Sequence, residues 1–277
     1  LGKIYKALEK SQMVTEKEPL QVEHYGIQPD SNLDVAKNEV LDSELYVETP
    51  DIVEPSLVTI AKPHSAESEQ FRLLKNTLLF PEKGEPPRSI MITSASPDEG
   101  KSFIAANLAI TIAQSIDEYV LLMDCDLRRP TIHSLFGFKN VEGLSEYLTS
   151  AKPLSGLLLK SFINKLTILP GGTRPINPSE LLSSEQMRRL LQEAKLRYSD
   201  RYIIIDTPPP SMTSETNAIA RQVDGIIIVI RQGKTRKKDV QDIIDIYGKE
   251  KIIGVVKNFA KNSHGYGYAY EKYGYGK

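Results

Sequence analysis

A single cysteine, Cys125, stands among 277 residues, so no disulfide can form within the chain. No apolar run approaches the roughly 20 residues that a membrane-spanning helix needs, because charge interrupts every candidate. Net charge is also nearly absent: 35 Lys and Arg stand against 36 Asp and Glu, which gives no field for non-specific binding to nucleic acid or to an anionic membrane. His24, His64, His133 and His264 lack the spacing of metal ligands. Nothing at the N-terminus follows the charged, apolar, small-residue order of a secretory signal. The expectation is a cytoplasmic protein, any membrane association of which comes through a partner.

Hydrophobic residues make up 40% of the chain, enough for one α/β domain with a tail or small appendage. Leu1 to Ser11 places Ile4, Tyr5 and Leu8 at helical spacing. From Met13 to about Pro55 the chain is acidic and without period, as a linker is. The expected division is therefore 1–60 for a short helix and linker, 61–260 for the core domain and 261–277 for a flexible tail. Within the core, Ser65 to Phe80 sets Phe71, Leu74 and Leu78 on one helical face after a capping serine. Six short apolar runs then read as buried strands: Ser89–Thr93, Val120–Met123, Leu166–Leu169, Tyr202–Ile205, Gly225–Ile230 and Ile252–Val256. Helical patterns at Lys101–Ser115, Ser184–Tyr198, Ser214–Arg221 and Lys238–Tyr247 lie between them. Such alternation implies a mostly parallel, doubly wound sheet whose ligand sits at the carboxyl ends of the strands.

The first core strand runs into Ala95-Ser96-Pro97-Asp98-Glu99-Gly100-Lys101-Ser102 and then a helix opening at Phe103, a Walker A motif with alanine at its first position. The loop Ser96-Pro97-Asp98-Glu99-Gly100-Lys101-Ser102-Phe103 suits phosphates through its backbone N–H groups, which every residue but Pro97 carries, Lys101 suits the β- and γ-phosphates, and the Ser102 hydroxyl suits Mg²⁺. The strand ending in Asp206, followed by Thr207-Pro208-Pro209, has the form of a Walker B segment that holds a water ligand of the metal. A third motif, Asp124-Cys125-Asp126-Leu127-Arg128-Arg129-Pro130, sets two carboxylates two residues apart as a strand ends. Asp124 is the candidate base or water-mediated metal ligand and Asp126 its neighbour, with the order of the two roles open. Arg128 or Arg129 is suited to phosphate, and pairing with an acidic loop is an equal alternative. Cys125 alternates to the opposite face and reads as a small buried hydrophobe. Asn258, just past the last strand, is a candidate contact of the nucleotide base.

Five of the thirteen tyrosines, Tyr266, Tyr268, Tyr270, Tyr273 and Tyr275, crowd the last twelve residues among Gly, Ala, Glu and Lys. A tail of that composition forms no core, and its tyrosines read as phosphoryl acceptors or as an aromatic stacking segment.

The motifs SASPDEGKS, LLMDCDLRRP and IIIDTPP, followed by a terminal tyrosine cluster, resemble the bacterial tyrosine kinases of exopolysaccharide and capsule synthesis over roughly Ser65 to Lys277. The resemblance implies a P-loop NTPase fold of the deviant-Walker, MinD/ParA-like kind that uses ATP and Mg²⁺ for autophosphorylation. Lys101, Asp124 and Asp126 are its expected catalytic residues, Ser102, Asp124 and Asp206 its expected metal set, and the tail tyrosines its expected acceptors, in trans within a homo-oligomeric ring. It also implies a separate membrane chain-length protein as activator and a tyrosine phosphatase, while the net charge of −1 and the scarcity of Arg near the tail tyrosines argue against a nucleic-acid partner. The family's Glu-x-x-Arg-x-x-Arg ring motif is matched by Glu69 and Arg72, but Lys75 replaces the second arginine and loses its bidentate fork. The competing reading is a MinD/ParA-type ATPase switch. That group carries an early P-loop lysine where this chain has Ser96.

Overall fold

The computed structural model describes residues 54–150, 152–197, 201–210 and 215–260. The N-terminal helix, nearly all of the acidic linker and the Tyr-rich tail lie outside these residues. The described chain opens with α1 (Val58–Ala61) and α2 (Ala66–Leu79), then β1 (Ser89–Ser94), α3 (Lys101–Ala113) and β2 (Tyr119–Asp124). It continues through α4 (Ile132–Leu135), α5 (Leu144–Ser150), β3 (Leu159–Lys160), β4 (Leu166–Leu169), α6 (Pro178–Leu182) and α7 (Glu185–Arg197). The last elements are β5 (Arg201–Asp206), α8 (Glu215–Ala220), β6 (Gly225–Arg231), α9 (Lys237–Tyr247) and β7 (Ile252–Asn258).

All six expected strands are present in one sheet of order β3-β4-β2-β5-β1-β6-β7. Every pairing is parallel except that of β3, a two-residue edge strand set antiparallel to β4. Two residues carry too little pattern to register in sequence, and the same holds for the short helices α4, α5 and α6. The interior strands are buried on both faces, which is why they read as continuous apolar runs. Alternate residues feed two cores. Ile90, Ile92, Val120, Leu122, Ile204 and Val229 pack with α2 and α3, while Met91, Leu121, Met123, Ile203, Ile205 and Ile226 pack with α7 and α8. Cys125 is buried in the second of these, as its alternation indicates.

The sequence pattern of α2 holds. Ser65 Oγ accepts from the Ser68 amide at its N-terminus, and Phe71 meets Phe103 of α3 edge-on, 5.7 Å between ring centroids. Asn107 of α3 fastens the segment before α2. Its buried amide accepts from Thr59 N and Oγ1, both at 3.1 Å, and donates to Ser56 O at 2.9 Å.

At the amino end of the sheet, Asp224 ties three elements together. It accepts from Arg88 N at 3.1 Å, Ser89 N at 2.8 Å and Lys195 Nζ of α7 at 2.5 Å. Partial burial alone would raise this carboxyl, but the Lys195 and Ser89 bonds overcome it and hold it below its ordinary value. A depressed carboxylate stabilises the fold above its unfolded pKa and loses that contribution as pH falls through the folded one. Asp224→Ala is therefore expected to cost about 1–2 kcal/mol at neutral pH, allowing for its partial exposure. Urea unfolding should show the gap from the parent chain closing as pH drops below about 4. A gap that stays constant down to acid pH would refute the assignment.

Candidate functional site

The site forms where the strand order reverses, at the carboxyl ends of β1, β5 and β2, the place a doubly wound sheet reserves for ligands. Between β1 and α3 the chain turns through two residues with positive φ, Asp98 at 60° and Gly100 at 89°. Left-handed residues in such a turn point successive N–H groups inward as an anion nest, and α3 adds its positive end. The loop is held from behind. Glu99, nearly buried, accepts from Ser96 N at 3.1 Å and from Thr235 Oγ1. Arg231, at the end of β6, donates to Asp98 O at 3.3 Å and covers the Phe259 ring at 4.2 Å. Asn258 Nδ2 donates to Glu99 O at 3.0 Å. The loop's shape is thus fixed by the ends of β6 and β7 before any ligand arrives.

In front of the loop lies a cavity of about 270 Å³. Pro97, Asp98, Gly100, Lys101, Ser102 and Phe103 line one side, and Asp126, Arg128, Arg129 and Thr131 the other, with Pro208 and Pro209 between. Ser96 and Glu99 face a second cavity of about 240 Å³ behind the loop, shared with Arg231 and Lys234. Most residues singled out in the sequence for nucleotide therefore meet on one wall. Asn258 is placed instead against the loop's own backbone.

Three carboxylates occupy distinct environments. Asp124 and Asp206 are fully buried. Asp124 Oδ2 accepts from Thr131 N at 2.9 Å and Ile132 N at 3.0 Å, and Oδ1 from Asp126 N at 3.2 Å. Its oxygens are thus spent on shaping the loop after β2. Burial, and then the neighbouring Asp206 charge, push the Asp124 carboxyl well above its ordinary range. Burial likewise pushes Asp206 up to about 7, against the opposing pull of Lys101 and Ser102. Asp126, the third, is partly exposed and stands on the cavity wall.

Asp206 fits a metal ligand held through water. Ser102 Oγ donates to its Oδ2 at 2.5 Å, while Oδ1 is buried without a hydrogen-bond partner. A water in the shell of a hard cation beside Ser102 would supply that missing donor. Among the described residues no cluster of three or more candidate ligand side chains occurs, so such a cation would depend on phosphate oxygens and water for most of its shell.

Several members of this site carried little sequence signal. Arg231, Thr235 and Thr131 belong to none of the motifs read from the sequence. Pro208 O is fixed by Thr93 Oγ1 at 3.1 Å and Thr216 Oγ1 at 3.2 Å, which sets the diproline wall. Outside the cavity lining, Glu146 accepts from Gly143 N at 2.7 Å, Thr173 N at 3.2 Å and the Thr173 hydroxyl, clasping the loop that follows β4. On α2, Glu69 and Arg72 form an ion pair at 2.8 Å, and Lys75 Nζ lies 3.4 Å from Ser115 Oγ. Tyr266, Tyr268, Tyr270, Tyr273 and Tyr275 lie outside the described residues. No helix among the described residues is long and apolar enough to cross a membrane.

Residues 87–268 match the family model described as ParA, NUBPL iron-transfer P-loop NTPase. Among curated proteins, tyrosine-protein kinase YwqD of Bacillus subtilis (strain 168) is 36% identical over 222 residues, 79% of this chain and 90% of that protein. The putative tyrosine-protein kinase CapB of Staphylococcus aureus is 33% identical over 212 residues, 75% of this chain and 92% of that protein. Among solved structures, the kinase domain of Escherichia coli tyrosine kinase ETK superposes with a TM-score of 0.66 at 33% identity, covering 76% of this chain and 84% of that one.

Proposed function

The chain belongs to the ParA-type P-loop NTPases and, within them, to the bacterial tyrosine-protein kinases, and we propose that it phosphorylates the tyrosine cluster of its own tail, Tyr266 to Tyr275, in trans within an oligomer. The observation that carries this reading is where the tail begins. β7 runs parallel to β6, and β6 to β1, so all three end at the same edge of the sheet. Asn258, the last residue of β7, touches the phosphate loop, and only Phe259 and Ala260 separate it from the tail. At ~3.3 Å per residue the extended tail spans about 60 Å, enough to reach a neighbouring subunit's cavity as well as its own.

In this reading the P-loop amides and Lys101 hold the β- and γ-phosphates of ATP, and Ser102 and Asp206 hold Mg²⁺, Asp206 through water. The metal, when bound, neutralises charge on the phosphate oxygens. An acceptor tyrosine enters between Asp126 and the Pro208-Pro209 wall. Its hydroxyl gives its proton to the Asp126 carboxylate as the tyrosine oxygen bonds the γ-phosphorus. The bond from that phosphorus to the β,γ-bridging oxygen breaks, and ADP leaves. Asp126 is preferred to Asp124 as base because it is accessible from the cavity, whereas Asp124 is fully buried and committed to backbone donors. Asp124 positions the loop that carries Asp126. Glu69, Arg72 and Lys75 on α2 are the proposed ring contact, with a separate membrane chain-length protein as activator and a tyrosine phosphatase as antagonist. The accumulated charge, roughly −1.5 to −2 per phosphate, would loosen the ring and regulate exopolysaccharide or capsule export.

The test is intact mass of the full chain after incubation with ATP·Mg²⁺, alone and with the cytoplasmic segment of a candidate membrane partner. Several phosphates mapping to Tyr266 through Tyr275 are expected. If none appears under either condition while ATP is still hydrolysed, an ATPase switch is the better reading.

A further inference from the structure

The cavity has two cationic walls, and ATP accounts for only one. The phosphate loop and Lys101 form the first. Across from them, Arg128 and Arg129 both line the cavity mouth beside Asp126, on the side proposed to admit the acceptor. They project from a segment that is immobilised on each flank. Arg129 N donates to Asp126 O at 3.0 Å and to Asp126 Oδ1 at 3.2 Å, and Thr131 N and Ile132 N are tied to Asp124. Pro130 lies against Gly171, where a Cβ would come within 2.7 Å of the proline's own. Arg128 Nη2 donates to Ser179 Oγ at 3.1 Å, which orients that guanidinium along the rim. The Arg129 guanidinium is exposed and has no hydrogen-bond or ion-pair partner among the described residues.

Two guanidinium groups on a rigid backbone suit a phosphate dianion, because each offers a planar fork of N–H donors to its oxygens. A tail phosphorylated as proposed supplies such a dianion. Tyr266, Tyr268 and Tyr270 are spaced by two, as are Tyr273 and Tyr275. In an extended chain, residues two apart share a face and lie ~6.6 Å from one another. Asp126, Arg128 and Arg129 line the same cavity, so a tyrosine at Asp126 would bring its neighbour two residues away toward the arginines.

We propose that Arg128 and Arg129 form a phosphotyrosine-binding subsite at the acceptor side of the cavity, which holds a tail tyrosine already phosphorylated and presents the one two residues away for the next transfer. The inference rests on the tail being the substrate. It adds that the product of one transfer promotes the next, so that phosphates accumulate in runs along a tail. Arginine at this rim is also within the chemistry of the γ-phosphate itself, and the experiment separates the two.

Synthetic peptides of residues 261–277, either unphosphorylated or phosphorylated at Tyr268, are titrated by fluorescence anisotropy. The protein is the full chain, saturated with ADP·Mg²⁺, with its own five tail tyrosines replaced by phenylalanine. The phosphorylated peptide is expected to bind at least tenfold more tightly at moderate salt. Arg129→Gln and Arg128→Gln should each reduce that preference severalfold. Arg129→Lys should retain part of it, since charge survives and the fork does not. Both positions are exposed, and a thermal melt confirms that each variant is folded. Equal binding of the two peptides by the parent chain overturns the proposal. So does a preference unchanged in both glutamine variants, including the case in which only affinity for a non-hydrolysable ATP analogue falls, which assigns the arginines to the γ-phosphate. Because the peptides are made chemically, the measurement does not depend on transfer. Absence of tail phosphorylation in the intact-mass experiment would remove the proposed function without deciding whether the rim binds phosphotyrosine.

Discussion

Lys101→Met is expected to lower tail phosphorylation by at least ~10²-fold while leaving the fold in place. Lys101 opens α3, is only 7% exposed and has its ammonium near Asp206. A preorganised cation in a site screened from water acts where charge develops in the transition state, and removing one such donor typically costs ~10²–10³ in rate. Methionine keeps the length and apolar stem of the side chain, so the packing around α3 is retained. The loss of charge has a second effect within the site. Lys101 opposes the upward push of burial on the Asp206 carboxyl, so its removal leaves that group still more reluctant to ionise and a poorer ligand for Mg²⁺. Single-turnover transfer followed by intact mass, beside a nucleotide-binding titration and a thermal melt, separates these effects. Transfer persisting above a tenth of the parent rate, in a variant that melts normally, would remove Lys101 from the chemistry.

Gly100→Ala is expected to damage both the fold and nucleotide binding. Gly100 sits at φ 89°, a region that side chains rarely adopt, and an added Cβ would stand 2.1 Å from Asn258 Nδ2. The conformational strain is worth about 1–3 kcal/mol. Displacing Asn258 breaks its bond to Glu99 O, a further ~1 kcal/mol, and frees the loop from β7. Unfolding free energy should fall by the sum of these, and nucleotide affinity by at least tenfold as the loop's amides lose their common direction. A double-mutant cycle with Asn258→Gly separates the two causes. That second change removes the collision but not the positive φ, so stability should recover only in part. Full recovery would mean that the loop tolerates alanine and that the clash was the whole effect. No loss in the single variant would mean that the loop does not hold this shape in solution.

Gly100 also shows where sequence reasoning stopped. A glycine before Lys101-Ser102 is demanded by the motif, and the motif states why the backbone must turn there. Nothing in the local sequence indicates that Asn258, 158 positions later, fills the space a side chain would need. The same division separates Asp126 from Asp124. Their two-residue spacing announces a pair at a strand end and leaves their roles open. Asp124 is in register with Asp206 on β5 and sealed beneath the loop, whereas Asp126 is past the strand and open to the cavity. Burial and backbone donors distinguish them, and neither is written in the spacing.

By itself the sequence determined the local and periodic features: six buried strands as continuous apolar runs, the helices between them, the capped start of α2, the phosphate loop and the strand-end carboxylates. Each of these follows from interactions within a few residues, or from the requirement that an alternating α/β chain bury both faces of its sheet. Tertiary structure decided what depends on groups far apart in the chain. It clamps the loop with Arg231, Thr235 and Asn258, orders the burial of three aspartates, and brings two arginines to the cavity that the phosphate loop lines. Such relations arise only when β5 inserts between β2 and β1 and β6 and β7 close the other side, because side chains separated by a hundred residues then become neighbours and the cost of burying their charges is set by whom they meet.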